Sequence, residues 1–311
     1  SANIKGYRNL GGLAGAANLG ENSSNKVENT VVTVDRTYTM VENDAALSGP
    51  IVGRILGGTL DDSNVATDVV VVSTEEDVET PDSFAEALAN VADGGVVAVA
   101  AEDIVITAGE LAVAGNNITI VGTTDDATIT VNKAYPNPVK VNKNVTFKNL
   151  NINFADVKGS ESYNGFNSQG NTLVFDNCTF TGQTTAAGGK FIYNNCSFKA
   201  ENTYPAFLYD GTAEYNNCVF EGKDRAAKVY NEGSLCKATY NNCTFKAATA
   251  GKSAVEIDCS QPNNTVNKVV YDVVIKNATL VNMAQAADYG NEYFNLETAG
   301  VGLGIVTLDG K

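Results

Sequence analysis

The chain has 311 residues, 43% of them hydrophobic, enough for one large all-β domain and a smaller partner. Its formal charge of −15, from 21 basic and 36 acidic residues, argues against nucleic acid or an anionic membrane surface as a partner, since both need a basic face. There is no histidine, which removes Ser–His–Asp and Cys–His catalysis, HExxH metalloprotease chemistry and histidine-ligated zinc.

Residues 1–74 read as a small glycine-rich β repeat region. "GGLAG…G" (Gly11, Leu13, Gly15, Gly20) matches "GPIVG…G" (Gly49, Ile51, Gly53, Gly58) at an offset of 38. The same offset sets Val27 onto Val65, Val31 onto Val69 and Val34 onto Val72. Glycines suit tight turns and β-branched runs suit strands. The stretches "LGGLAGAANLG" and "SGPIVGRILGG" resemble the glycine-rich GLUG repeat of bacterial surface proteins. No GxxxxGK[ST] pattern accompanies these glycines, so a phosphate-cradling loop is excluded.

Residues 75–82 lie in the acidic "STEEDVETPD" and read as a linker, after which 83–311 form the main domain. That domain opens with a short helix. Ser83 and Glu86 make a capping box, Phe84, Leu88 and Val91 an apolar stripe, and Gly94 a stop signal. From Val96 onward strand follows strand ("VVAVA", "DIVIT", "NITIVGT", "ATITV") with turn residues between. Residues 284–311 are expected to cap the C-terminal end. No apolar run approaches the roughly 18–20 residues of a membrane span. With Ser1 first, the chain is read as a mature or trimmed fragment of an exported protein.

One phrase returns four times: "FDNCTF", "YNNCSF", "YNNCVF" and "YNNCTF", with steps of 18, 22 and 25 between Cys178, Cys196, Cys218 and Cys243. Leu150 and Ala278 occupy the cysteine position in relaxed copies, so the position wants a small apolar side chain rather than a thiolate. Variable spacing around a constant phrase suits coils stacked along an axis. Alternation turns Phe175, Tyr193, Tyr215 and Tyr240 inward, and likewise the cysteines and Phe180, Phe198, Phe220 and Phe245. Asn177, Asn195, Asn217 and Asn242 fall at a bend, in the left-handed region that asparagine tolerates. Coils about 4.8 Å apart then build ladders of like residues. The sequons "NCT" at Asn177 and Asn242 are read as accidents of the ladder, with those asparagines buried. Cys236 and Cys259 are a candidate disulfide across adjacent coils.

These ladders, with the capping helix before "GGVVAVAAEDIVI", resemble the right-handed parallel β-helix of the pectin-lyase-like superfamily, over residues 82–283. The fold class is therefore all-β: a right-handed single-stranded parallel β-helix with a short N-terminal capping helix, preceded by the glycine-rich repeat. That superfamily holds lyases, hydrolases, phage tailspikes and adhesins, so fold leaves function open.

The sheet on which such enzymes bind sugar supplies the candidate site. Aligning "PAFLYDG", "AAKVYNEG" and "SAVEIDCS" turns Ala206/Leu208, Ala227/Val229 and Val255/Ile257 inward. Phe207, Lys228 and Glu256 then form one outward row, and Tyr209, Tyr230 and Asp258 the next. Aromatic rings stack on apolar sugar faces and carboxylates bond hydroxyls, so these six residues are the predicted ligand-binding set. A catalytic reading would use Lys228, Glu256 and Asp258 to remove a proton alpha to a uronate carboxylate, with Arg225 or calcium neutralising that carboxylate. No catalytic residue and no metal ligand is assigned; calcium is the one cofactor admitted. The leading expectation is a non-catalytic, extracellular or bacterial cell-surface protein that adheres to a glycan or host surface. A polysaccharide lyase or hydrolase acting on acidic polysaccharide, and a rigid structural spacer, are the rivals. Oligomeric state is left open.

Overall fold

In the computed structural model, side chains are described for residues 84–100, 104–106, 109–131, 138–154, 164–201, 204–230, 236–249, 252–257, 272–288 and 307–308; backbone alone is described for the remaining strands and the first turn of the helix. From Val96 the chain visits three sheets in rotation. Sheet 1 has nine strands, from Val96–Val99 to Leu303–Leu308; sheet 2 has eight, from Ile104–Ile106 to Thr279–Val281; sheet 3 has eight, from Glu110–Leu111 to Gln285–Tyr289. Each strand pairs, in parallel, with the strand three places on in sequence. Three strands thus make one coil, and the fold is a parallel β-helix, right-handed as strand-to-parallel-strand crossovers are.

The bend between sheets 1 and 2 rests on asparagine. Asn149, Asn177, Asn195, Asn217, Asn242 and Asn277 all hold φ between 52° and 55°. The side-chain amide of Asn177 donates to Asn149 Oδ1 at 2.9 Å, Asn217 to Asn195 at 3.3 Å, Asn242 to Asn217 at 3.3 Å and Asn277 to Asn242 at 3.0 Å. Only asparagine joins tolerance of left-handed backbone to an amide that both donates and accepts along the axis. The expectation that Asn177 and Asn242 are buried is corrected: both are exposed, because the bend turns these side chains outward along the corner. A parallel ladder lies beside them, Asn216 donating to Asn194 at 3.0 Å and Asn241 to Asn216 at 2.9 Å.

Inside the coil the aromatic columns form as the alternation requires. Ring centroids run Phe147–Phe175 4.8 Å, Phe175–Tyr193 5.0 Å, Tyr193–Tyr215 4.8 Å and Tyr215–Tyr240 4.8 Å, all within 11° of coplanar. Phe180, Phe198, Phe220 and Phe245 make a second column at 4.7–5.1 Å, set edge-on to the first. Between the columns Cys178, Cys196, Cys218 and Cys243 are buried free thiols, with Leu150 continuing their position below and Ala278 above. Each sulfur lies 3.3–3.5 Å from two carbonyl oxygens, so the S–H groups find acceptors without a metal. Burial pushes the Cys196 thiol and the phenols of Tyr193, Tyr215 and Tyr240 up, favouring their neutral forms. Cys236 is also buried, its Sγ 3.1 Å from the Tyr230 carbonyl oxygen; its proposed partner Cys259 lies outside the described residues.

The N-terminal end is closed by the helix Pro81–Asn90, which buries Phe84 and Leu88 in the core with Val91 packed against them. It starts three residues before the capping box, with Ser83 as N-cap and Phe84 first, would place it, so Ser83 sits inside the first turn. Pro81 serves as first residue, its ring pre-set for helical φ and its missing N–H one of the end groups that need no partner. The helix ends at Asn90, and Gly94, with φ 72°, instead forms the turn that leads into Val96–Val99.

Residues 1–73 repeat the same connectivity on fewer coils. Asn3–Gly6, Val31–Glu42 and Val65–Ser73 form one parallel sheet, Ala14–Asn18 with Val52–Leu56 a second, and Lys26–Val27 with Thr59–Leu60 a third. The offset of 38 holds where Ala14 pairs with Val52. Elsewhere it is corrected: Val27 pairs with Leu60 and Val31 with Val65, because turns of unequal length and an irregularity between Thr33 and Tyr38 absorb the difference. At the other end Gln285–Tyr289 and Leu303–Leu308 add further parallel strands to sheets 3 and 1. The rest of the expected C-terminal cap, 290–302 and 309–311, lies outside the described residues.

Candidate ligand-binding face

The outward side of sheet 3 carries the predicted row in register: Phe207 faces Lys228 and Lys228 faces Glu256, while Tyr230 faces Asp258. The row extends to Thr185 on one side and Asp288 on the other. Its inward neighbours Ala206, Leu208, Ala227, Val229, Val255 and Ile257 are all buried. Tyr209 lies just past its strand, where its N–H donates to the Ala186 carbonyl at 3.0 Å and its ring stacks on Tyr230 at 5.4 Å. The structure therefore brings Phe207, Tyr209, Lys228, Tyr230 and Glu256 into one cluster. The Asp258 backbone joins them; its side chain lies outside the described residues.

Facing outward does not leave these residues exposed. Phe207 is 3% exposed and Glu256 4%, whereas Tyr209, Lys228 and Tyr230 are half-buried. Phe207 sits among Tyr204, Tyr209 and Tyr230 at 5.7–6.0 Å. The Lys228 ammonium lies over the Tyr204 ring at 5.5 Å and the Tyr230 ring at 5.7 Å. Glu256 accepts two cations: Arg225 Nη1 lies 2.6 Å from one carboxylate oxygen and Lys228 Nζ 3.5 Å from the other.

Arg225 reaches Glu256 because of the turn that precedes it. A side chain at Gly222 would collide with the Arg225 carbonyl, so glycine alone allows the turn to close this tightly. The turn is then stacked on the next coil, Ala248 N–H donating to the Gly222 carbonyl at 2.9 Å and Thr249 N–H to Lys223 at 2.8 Å. Asp224, at its tip, pairs with Lys252 at 3.2 Å in a solvated contact.

Chemically, the cluster offers aromatic edges and faces beside a charge group whose carboxylate is already neutralised. A general base needs a group free to take a proton, and Glu256 is committed to two cations. Among the described residues no group of three or more His, Cys, Asp or Glu is arranged to hold a metal ion. Sequence reading did not place Tyr204, Thr185 or Asp288 in the site. Asp288 was within reach of one more alignment step, "QAADY" under "SAVEI"; Tyr204 comes from a turn with no ladder signal. A concavity of about 180 Å³ lies at the asparagine corner, lined by Thr124, Asp125, Asn149, Asn151, Asn177 and Thr179. It is smaller than the roughly 300 Å³ at which ligand pockets begin and lacks an aromatic platform.

Searches of family models, of curated proteins and of solved structures return no match to this chain.

Proposed function

We propose that the chain is a non-catalytic, exported glycan-binding protein of the bacterial surface-adhesin kind, built on a pectin-lyase-like β-helix with a GLUG-like repeat before it. One observation carries the reading: the stacked, half-buried Tyr209–Tyr230 pair beside Lys228 on the outward side of sheet 3. The two rings stack at 5.4 Å, 19° from parallel, and leave apolar ring surface beside the Lys228 ammonium, a pairing of apolar and polar groups that suits a pyranose ring. The commitment of Glu256 to Arg225 and Lys228 favours binding over cleavage, since a polyuronate lyase would need one of these groups free.

The test is a panel of plant, host and microbial polysaccharides, with and without calcium, scored for binding and for new chain ends. Binding without new ends is expected, and Tyr230→Ala should weaken it about tenfold, the ratio set by 1.4 kcal/mol of lost stacking. New reducing or unsaturated ends would replace this reading with the lyase or hydrolase one. Silence on both, for every member of the panel, would leave the spacer.

A further inference from the structure

We infer that the thiol column Cys178, Cys196, Cys218 and Cys243 is a binding site for a soft monovalent d10 cation, Cu(I) or its analogue Ag(I), each ion held in line between the sulfurs of two successive coils. Packing alone does not demand sulfur at this position, since Leu150 fills it one coil below and Ala278 one coil above. Four successive coils nevertheless carry a metal-ligating side chain there, each 0–1% exposed.

The geometry selects the ligand. The cysteines are bracketed by residues paired in register between coils: Asn194 with Asn216 and Ser197 with Val219 on either side of Cys196 and Cys218, for example. The backbone of the column itself is paired too. Ser197 N–H donates to the Cys178 carbonyl at 3.0 Å, and Val219 N–H to Cys196 and Thr244 N–H to Cys218 at 2.9 Å. All four sulfurs repeat one placement, 3.3–3.5 Å from the carbonyl two residues before and from the carbonyl of an inward ring residue on the preceding coil. The sulfurs therefore follow the backbone, at a coil spacing of about 4.8 Å. The ring columns on either side hold 4.7–5.1 Å. A disulfide needs its two Cβ atoms about 3.8 Å apart, closer than this stack brings them. A collinear sulfur–metal–sulfur bridge with bonds of about 2.3 Å, the length sulfur makes to zinc, spans about 4.6 Å and fits with little movement. Among the described residues no three Cys, Asp or Glu side chains are arranged around one ion, so a tetrahedral zinc site does not fit. Thiolates favour Cu(I), whose filled d shell accepts two collinear ligands. Each ion displaces one S–H proton to solvent, leaving a thiolate, a thiol and a cation with no net charge, as a dry core requires. Sulfur bonds at bent angles, so one sulfur does not carry ions both above and below it. Four sulfurs thus make two sites, and each ion ties two coils together.

The experiment uses the 311-residue chain and two variants that keep the same number of column thiols. Cys178→Ala/Cys196→Ala leaves Cys218 and Cys243 adjacent, whereas Cys178→Ala/Cys218→Ala leaves Cys196 and Cys243 two coils, about 9.6 Å, apart. Should either fail to refold by circular dichroism, Cys218→Ala/Cys243→Ala and Cys196→Ala/Cys243→Ala take their places. Each chain is refolded from urea with Ag(I), because the folded chain closes the sulfurs to solvent, and then washed with a small thiol that strips accessible ions. Native mass spectrometry should count two ions more on the parent than on the alternate-cysteine variant, and one more on the adjacent-cysteine variant than on the alternate one. X-ray absorption should show two sulfur neighbours for each column ion. Equal counts on all three chains, equal counts on the two variants, or three or more sulfur neighbours per ion would each overturn the inference.

Discussion

Glu256→Gln tests the charge cluster, because glutamine keeps the side chain's shape, removes its charge and turns one acceptor oxygen into an NH2 donor facing a cation. At an effective dielectric of about 20, attraction over 2.6 Å to Arg225 is worth about 6 kcal/mol and over 3.5 Å to Lys228 about 5 kcal/mol. Desolvation of the carboxylate and repulsion between the two cations offset most of this sum. What remains is the cost of leaving buried charge uncompensated, about 3–5 kcal/mol. Arg225 has no reserve, since its Nε is already buried without a hydrogen-bond partner. Urea unfolding followed by circular dichroism should show a lower midpoint at unchanged slope. Hydrogen exchange should show the loss concentrated in Ala227–Tyr230 and Ser253–Asp258, as stability in a stacked structure is set between neighbouring coils. Salt should reproduce little of the effect, because the Glu256 side chain is only 6% exposed; the solvated pair Lys199–Glu221, at 3.6 Å, should contribute under about 1 kcal/mol and vanish in salt. A Glu256→Gln protein within about 1 kcal/mol of the parent would refute the view that these ion pairs hold the face together.

Two further outcomes follow from the ladders. Asn217→Ala should destabilise by about 2–3 kcal/mol, from a left-handed φ of 54° and two lost amide contacts, while Asn217→Gly should recover the backbone part; equal losses for both would show that φ is not the determinant. Alkaline pH should unfold the protein early. The buried phenols of Tyr193, Tyr215 and Tyr240 and the thiol of Cys196 keep protons that the unfolded chain releases, so their contribution is complete below the unfolded values. It then falls as pH rises past about 8.5–10, by up to about 1.4 kcal/mol per group per pH unit. Denaturation midpoints flat from neutral pH to 11, or tyrosinate absorbance appearing in the folded protein, would contradict this.

The coil was legible in the sequence because a stacked structure repeats its chemistry at every layer. A phrase such as "YNNCTF" encodes one corner: an inward ring, an asparagine in left-handed backbone, an inward small apolar group, an inward ring. Each role depends on residues within six positions, and Leu150 and Ala278 could be assigned to the cysteine position for the same reason. The row Phe207, Lys228, Glu256 was legible too, since strand alternation and coil pairing follow directly once the register is known. Exposure was not. Whether an outward residue meets water depends on what the turns lay over it, and turns carry no repeat; Tyr204 covers Phe207 and Arg225 finds Glu256 through a turn that only Gly222 permits. The asparagine corner failed in the opposite sense, because residues expected inside stand at the outer edge of the bend. Local periodicity thus determined which residues share a column and which way each strand face points. The tertiary structure alone decided which outward charges are paired and buried, because that depends on contacts between turns, where the repeat no longer speaks.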